Sequence, residues 1–119
     1  MDKIIARLFA ARDISHSLHL KTKSFASHMA LNELYDALID LVDSIAEMYQ
    51  GKYGIMQNTL PDSEDFMFSS NSEQEFIKDF TEWTETAKQE IPQDSFIQNE
   101  WDAVCAVAYK ARYKIENLK

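Results

Sequence analysis

Residues 16–51, HSLHLKTKSFASHMALNELYDALIDLVDSIAEMYQG, decide the fold. From about Ser24 to Gln50, Leu31, Leu34, Tyr35, Leu38, Leu41, Val42, Ile45, Met48 and Tyr49 recur at alternating three- and four-residue steps. That spacing puts them on one stripe of a long amphipathic helix. Gly51 follows where a left-handed C-terminal cap is expected. Upstream, Ile4, Leu8, Ala11 and Leu18 keep helical spacing and predict a first helix over about Asp2–Thr22.

Downstream of Gly51 the pattern lapses. Residues 52–71 carry Gly54, Pro61, Asp62 and serines around Ser69, and read as one long connection. A simple up-down bundle needs only a few residues there, whereas some twenty can run the length of a helix and return the chain to the opposite end. Ser72 with Glu75, and Ser95 with Gln98, have capping-box spacing and predict two further helices. The third carries Phe76, Ile77, Phe80, Trp83 and Ala87 up to Pro92. The fourth carries Ile97, Trp101, Val104, Ala108, Ala111, Ile115 and Leu118. The expected fold is all-α, a ferritin-like four-helix bundle with a long crossover between helices 2 and 3. A chain of 119 residues with 45% hydrophobic content fits one domain, residues 1–119.

Composition narrows the function. Cys105 is the only cysteine, so no internal disulfide forms and a reducing, cytoplasmic setting is expected. No apolar run approaches a membrane span. Net charge is −8, with the acidic excess between Asp62 and Asp102, so direct nucleic-acid binding is not expected. A basic protein partner would suit that surface. The C-terminal Lys110, Arg112, Lys114 and Lys119 read as the ordinary cationic end of a helix. No glycine-rich phosphate loop, zinc-type cysteine set or nucleophilic serine elbow occurs.

What remains is a set of ligand-type residues. His16, His19 and His28 fall within thirteen consecutive positions, and Asp43 and Glu47 stand four apart on one face of the second helix. Carboxylates so spaced are ordinarily just solvated. Fifteen residues separate His28 from Asp43, about 22 Å along a straight helix at the standard rise. They can share a metal only between two copies whose second helices pack antiparallel across a two-fold axis.

The text HSLHLKTKSFASH followed by LYDALIDLVDSIAEMYQG resembles the metal-binding helix pair of the Dps-type miniferritins, over roughly Ile14 to Gly51. In that alignment His19 stands for the family's first histidine, Lys23 for its basic residue, Phe25 for its aromatic and His28 for its second histidine. Asp43, Ala46 and Glu47 match its Asp-x-x-Ala-Glu run, and Tyr35 falls where the family often has Tyr. Leu20, Ser24 and Met48 replace the family's Trp, Gly and Arg, and the loop between the histidines is three residues shorter. The HL-x-TKS form is also similar to short proteins of tailed bacteriophages. The resemblance implies an iron-binding homo-oligomer, at least a two-fold dimer, with His19, His28, Asp43 and Glu47 as metal ligands between subunits. His16 competes for the first position. It further implies ferroxidase activity with oxygen or peroxide as electron acceptor. The alternative is a non-enzymatic interaction or assembly protein of a phage or bacterium, which keeps the fold with a degenerate site.

Overall fold

The computed structural model describes residues 1–119 and contains four helices and no strand: α1 (Asp2–Lys21), α2 (Phe25–Tyr53), α3 (Glu73–Lys88) and α4 (Ser95–Asn117). The stripes expected from spacing are the ones buried, except that Leu118, expected on the seam of the fourth helix, lies past the end of α4 in extended backbone and is exposed. Ile4, Leu8, Ala11 and Leu18 of α1 meet Leu31, Leu34, Leu38, Val42 and Ile45 of α2, Phe76, Ile77 and Phe80 of α3, and Ile97, Trp101, Val104 and Ala108 of α4 in a single apolar core. Helix α2 packs against α1 on one side and α4 on the other, and α3 packs mainly against α4. No helix is long and apolar enough to cross a membrane.

Polar contacts between segments fix the course of the chain. Asp2, at the start of α1, accepts the N–H groups of Gln57 and Asn58, just after α2 ends. Lys3 then meets Asp62 and Asp65, Lys21 at the far end of α1 reaches the Ser70 carbonyl, and Thr22 donates to Glu73 at the start of α3. The 54–72 segment therefore runs the length of α1, and α3 starts at the end where α2 started. Lys52 and Tyr53, closing α2, meet Asp94 at the start of α4, while Lys114 near its end reaches back to Glu33. The helices thus run up, down, down and up, with the long crossover between the second and third.

The crossover is anchored as well as tied. Phe68 is buried and sits edge-on against Phe76, Phe80 and Trp83, at centroid distances of 6.2, 5.5 and 5.3 Å. Asp65 is fully buried, with Lys3 and Arg7 at 3.4 and 3.5 Å and the Asp62 N–H donating to it. Asp2 is held below the ordinary carboxylate range chiefly by the Asn58 N–H, and Asp62 chiefly by Lys3. Both ties therefore act above the usual carboxylate titration and are lost as pH falls through the lowered values.

Two cap assignments differ from expectation. Gly51 lies inside α2, and the chain leaves the helix at Gly54, whose φ of 97° and ψ of 169° suit glycine alone. Ser95 is the first residue of α4 rather than its cap. Asp94 holds the capping position, its carboxylate engaged by Lys52 and Tyr53, and Gln98 turns to the carbonyls of Lys88 and Pro92. At Ser72 the expected cap is present, its hydroxyl accepting the Glu75 N–H at 3.2 Å. The two glycines should respond oppositely to alanine. An added Cβ meets nothing within 4 Å at either position. Gly51→Ala should stabilise by about 0.5–1 kcal/mol through helix propensity, and Gly54→Ala should destabilise by about 1–3 kcal/mol through backbone strain. Urea unfolding of the two variants measures both signs, and equal signs would contradict the assignment of the cap.

Candidate metal centre at the helix elbow

The elbow joining α1 to α2 is built by small hydroxylated residues. Thr22 is extended, with its N–H closing the last turn on the Leu18 carbonyl, and its hydroxyl accepts the Ser24 N–H while donating to Glu73. Ser24 caps α2 by accepting the Ser27 N–H at 3.1 Å. Reversing the chain over so few residues brings His19 in the last turn of α1 beside His28 in the first turns of α2.

The two imidazoles stack at a centroid distance of 3.7 Å with planes 19° apart. Nδ1 of His19 lies 2.7 Å from the His28 carbonyl, and Nδ1 of His28 lies 2.8 Å from the His19 carbonyl. A carbonyl only accepts, so each Nδ1 carries the proton. In the neutral rings the lone pair is therefore on Nε2. His16, more exposed, stacks on Tyr35 at 4.2 Å, while Tyr35 stands edge-on to His19 at 5.4 Å and donates from its hydroxyl to Asn32. His16 and His19 are 6.0 Å apart between ring centroids.

The structure thus brings His16, His19 and His28 together. Asp43 and Glu47 lie exposed further along α2, outside every ion pair of the chain. No group of three or more His, Cys, Asp or Glu side chains within one chain is placed to hold a metal ion. The elbow also exposes Leu20, Phe25 and Met29, the first two by more than 70%. Sequence reasoning missed the tie from Thr22 to Glu73 and the isolated hydroxyl of Ser27, which is buried without a partner. The T-K-S run, with its turn-forming hydroxyls, was the available signal for the first. Away from the elbow, Trp83 and Trp101 are core, and Tyr109 and Tyr113 of α4 are exposed. Cys105 is half-buried, and burial pushes its thiol up, away from the reactive thiolate.

A small bundle running up, down, down and up, with an imidazole-clasped elbow at one end, is the class that fold and site define. The chain belongs to the family described as "Family of unknown function (DUF5856)", whose model matches residues 19–115, from the first clasp histidine to the last buried residue of α4. It is also similar to the "Uncharacterized 14.6 kDa protein in mobD-ri intergenic region" of Enterobacteria phage T4, with 40% identity over 53 residues. That match covers 44% of this chain and 41% of the phage protein, so the chain spans about two fifths of that curated relative's length. No solved structure matches the chain.

Proposed function

We propose that the chain is a ferritin-like protein that binds ferrous iron at sites shared between two copies, each formed by His19 and His28 of one and Asp43 and Glu47 of the other. The observation that carries this reading is the imidazole arrangement. Metal-binding histidines usually donate one ring N–H to a carbonyl or carboxylate, which fixes the tautomer and leaves the other nitrogen as ligand. Both clasp histidines have that arrangement, with Nε2 free. The course of the helices, with its long crossover, is that of ferritin-like bundles, and supports the reading in the same direction.

The donor set suits the ion. Imidazole and carboxylate ligands with open coordination positions fit Fe(II), and exposed carboxylates without partners need break no existing pair to bind it. Antiparallel pairing that sets His28 against Asp43 places the two-fold axis between Tyr35 and Asp36. It also carries the exposed Lys21 and Lys23 of one elbow toward the acidic end of the other α2. The iron is the substrate: each Fe(II) gives one electron, and a peroxide takes two of them with two protons to become water. The protein's part would be to hold the ions through the Nε2 atoms of the clasp and the second copy's carboxylates; with the rings stacked at 3.7 Å and planes 19° apart, each Nε2 would take its own ion unless the stack opens.

A complementation experiment tests this. One variant carries His19→Ala and His28→Ala, the other Asp43→Asn and Glu47→Gln, and circular dichroism verifies that both remain helical. Each alone should oxidise Fe(II) at the buffer rate. Their mixture should regain activity, since a mixed pair contains one intact site and one doubly defective one. A mixture no faster than its components would reject the shared site, as would a wild type no faster than buffer.

The exposed Leu20, Phe25 and Met29 favour a second reading, a non-enzymatic assembly protein that docks a partner through this end or through its acidic α3–α4 surface. Native mass and metal content measured on one purified sample separate the two. A complex with another protein and no bound metal supports the second.

A further inference from the structure

The bundle is a rod of 43 × 28 × 21 Å, its long axis set by the 29 residues of α2 at the standard helical rise. One end carries the elbow, where Leu20 and Phe25 are exposed beside Lys21 and Lys23. No acidic residue occurs from Ile14 to Asn32, the longest such stretch in the chain. The opposite end is aromatic and acidic. Tyr53, closing α2, stacks on Tyr49 at 5.0 Å, and the Lys52 ammonium lies 5.4 Å from the Tyr53 ring and 6.0 Å from that of Phe96 in α4. Tyr53 and Phe96 are about half exposed there, and Ile55, just past the helix cap, more so. Of the chain's 12 basic and 20 acidic side chains, the elbow half of the rod (residues 12–39, 69–80 and 107–119) holds eight and seven, and the other half four and thirteen. The rod is therefore slightly positive at one end and strongly negative at the other.

We propose that copies of this chain stack end to end, the elbow of one seated on the aromatic base of the next. The inference rests on the second reading above, in which the elbow docks a partner, and names that partner. Leu20 and Phe25 meet Tyr53, Ile55 and Phe96, apolar against apolar, while Lys21 and Lys23 enter the half in which carboxylates outnumber cations. The rings that already hold Lys52 also offer their faces to ammonium groups. A membrane fits less well, since a chain of net charge −8 is repelled by anionic lipid. Elbow on elbow would set lysines against lysines. Elbow on base is a heterologous contact, so a joined pair still presents one free elbow and one free base, and growth continues along the axis. The cross-section of the rod limits the contact to about 500 Å² per copy, below the roughly 800 Å² of a stable pair, so the association is weak and reversible.

Sedimentation equilibrium of the full chain in EDTA, which keeps the shared metal site out of the measurement, tests this. The expected result is a mass that rises from the single chain's 13.8 kDa toward multiples of it over about 0.1–1 mM, the range of a contact this small. Leu20→Ser with Phe25→Ser removes the elbow contact, and Ile55→Ser with Phe96→Ser the base contact. All four side chains are exposed, and circular dichroism verifies that helix content is kept. Each variant alone should stay at 13.8 kDa, and their equimolar mixture should approach twice that mass and go no higher, since one intact elbow meets one intact base. A wild type that remains a single chain at about 1 mM would overturn the inference and leave the elbow to a different partner. A base variant that associates as the wild type does, or a mixture that does not pair, would overturn the seating of elbow on base. An elbow variant that associates as the wild type does would overturn the inference together with the elbow as a docking end.

Discussion

Replacing Trp101 with alanine is expected to cost about 3–5 kcal/mol for the lost side chain and its cavity. Trp101 is fully buried, stands edge-on to Trp83 at 5.7 Å, and donates its indole N–H to the Thr84 carbonyl at 2.7 Å. The side chain is thus both apolar filling between α3 and α4 and the partner of a buried backbone oxygen. Loss of the indole hydrogen bond, to an oxygen that also serves the α3 ladder, adds about 0.5–1.5 kcal/mol. Since domains of this size are stable by about 5–15 kcal/mol, the variant should approach the edge of folding. Trp101→Phe keeps most of the volume and loses the hydrogen bond, so it should fall between wild type and alanine. Urea denaturation of all three gives the order. A loss below about 1 kcal/mol in the alanine variant would contradict the assigned packing.

The second large effect is expected at Asp65. Its carboxylate is fully buried under the crossover, while Arg7 is about a quarter exposed and Lys3 half exposed. Breaking a buried pair by removing one partner costs about 3–5 kcal/mol, and the partial exposure of both cations screens them, so Asp65→Ala should lie near the lower end of that range. It would also strand the Asp62 N–H, which donates to Asp65. Asp65→Asn keeps an acceptor for that N–H and loses only the charge, so it should cost less. Hydrogen exchange would show whether the loss is local. Faster exchange at Asp62 and Asp65 than in α4 is expected, because the crossover detaches before the core opens. Equal protection in variant and wild type would show that the carboxylate does not hold the crossover down.

Periodicity in the sequence was enough for the four helices, because each buries one continuous stripe: Leu31, Leu34, Leu38, Val42 and Ile45 are buried as their spacing requires. The crossover was legible only by its length. Burial of Phe68 and Asp65 could not be read from a segment without a repeat, since Phe68 is covered by the aromatic residues of α3 and Asp65 by Lys3 and Arg7, some sixty positions away along α1. Gly51 and Gly54 both suit a cap by composition, and only the backbone angle distinguishes them. Ser95 has the right spacing to Gln98, yet α2 ends where Lys52 and Tyr53 can engage Asp94, a tertiary contact that local spacing does not encode. At the elbow, the clustering of three histidines was visible in the chain, and so was the distance from His28 to Asp43. The reciprocal bonds between His19 and His28 were not, because they involve each residue's backbone carbonyl and arise only when the elbow closes.

The crossover also bears on how quickly the molecule folds. Helical bundles generally fold fast because most of their contacts are local in sequence. Here Asp2 must find Asn58, Thr22 must find Glu73, and Glu33 must find Lys114, separations of 56, 51 and 81 residues. Each is a loop closed before its contacts repay the lost chain entropy. The α1–α2 and α3–α4 hairpins, whose contacts are short-range, can form independently, while seating the crossover along α1 joins them. Phe68 and Asp65 therefore belong to the late events of folding, and substitutions there should act mainly on the rate of unfolding.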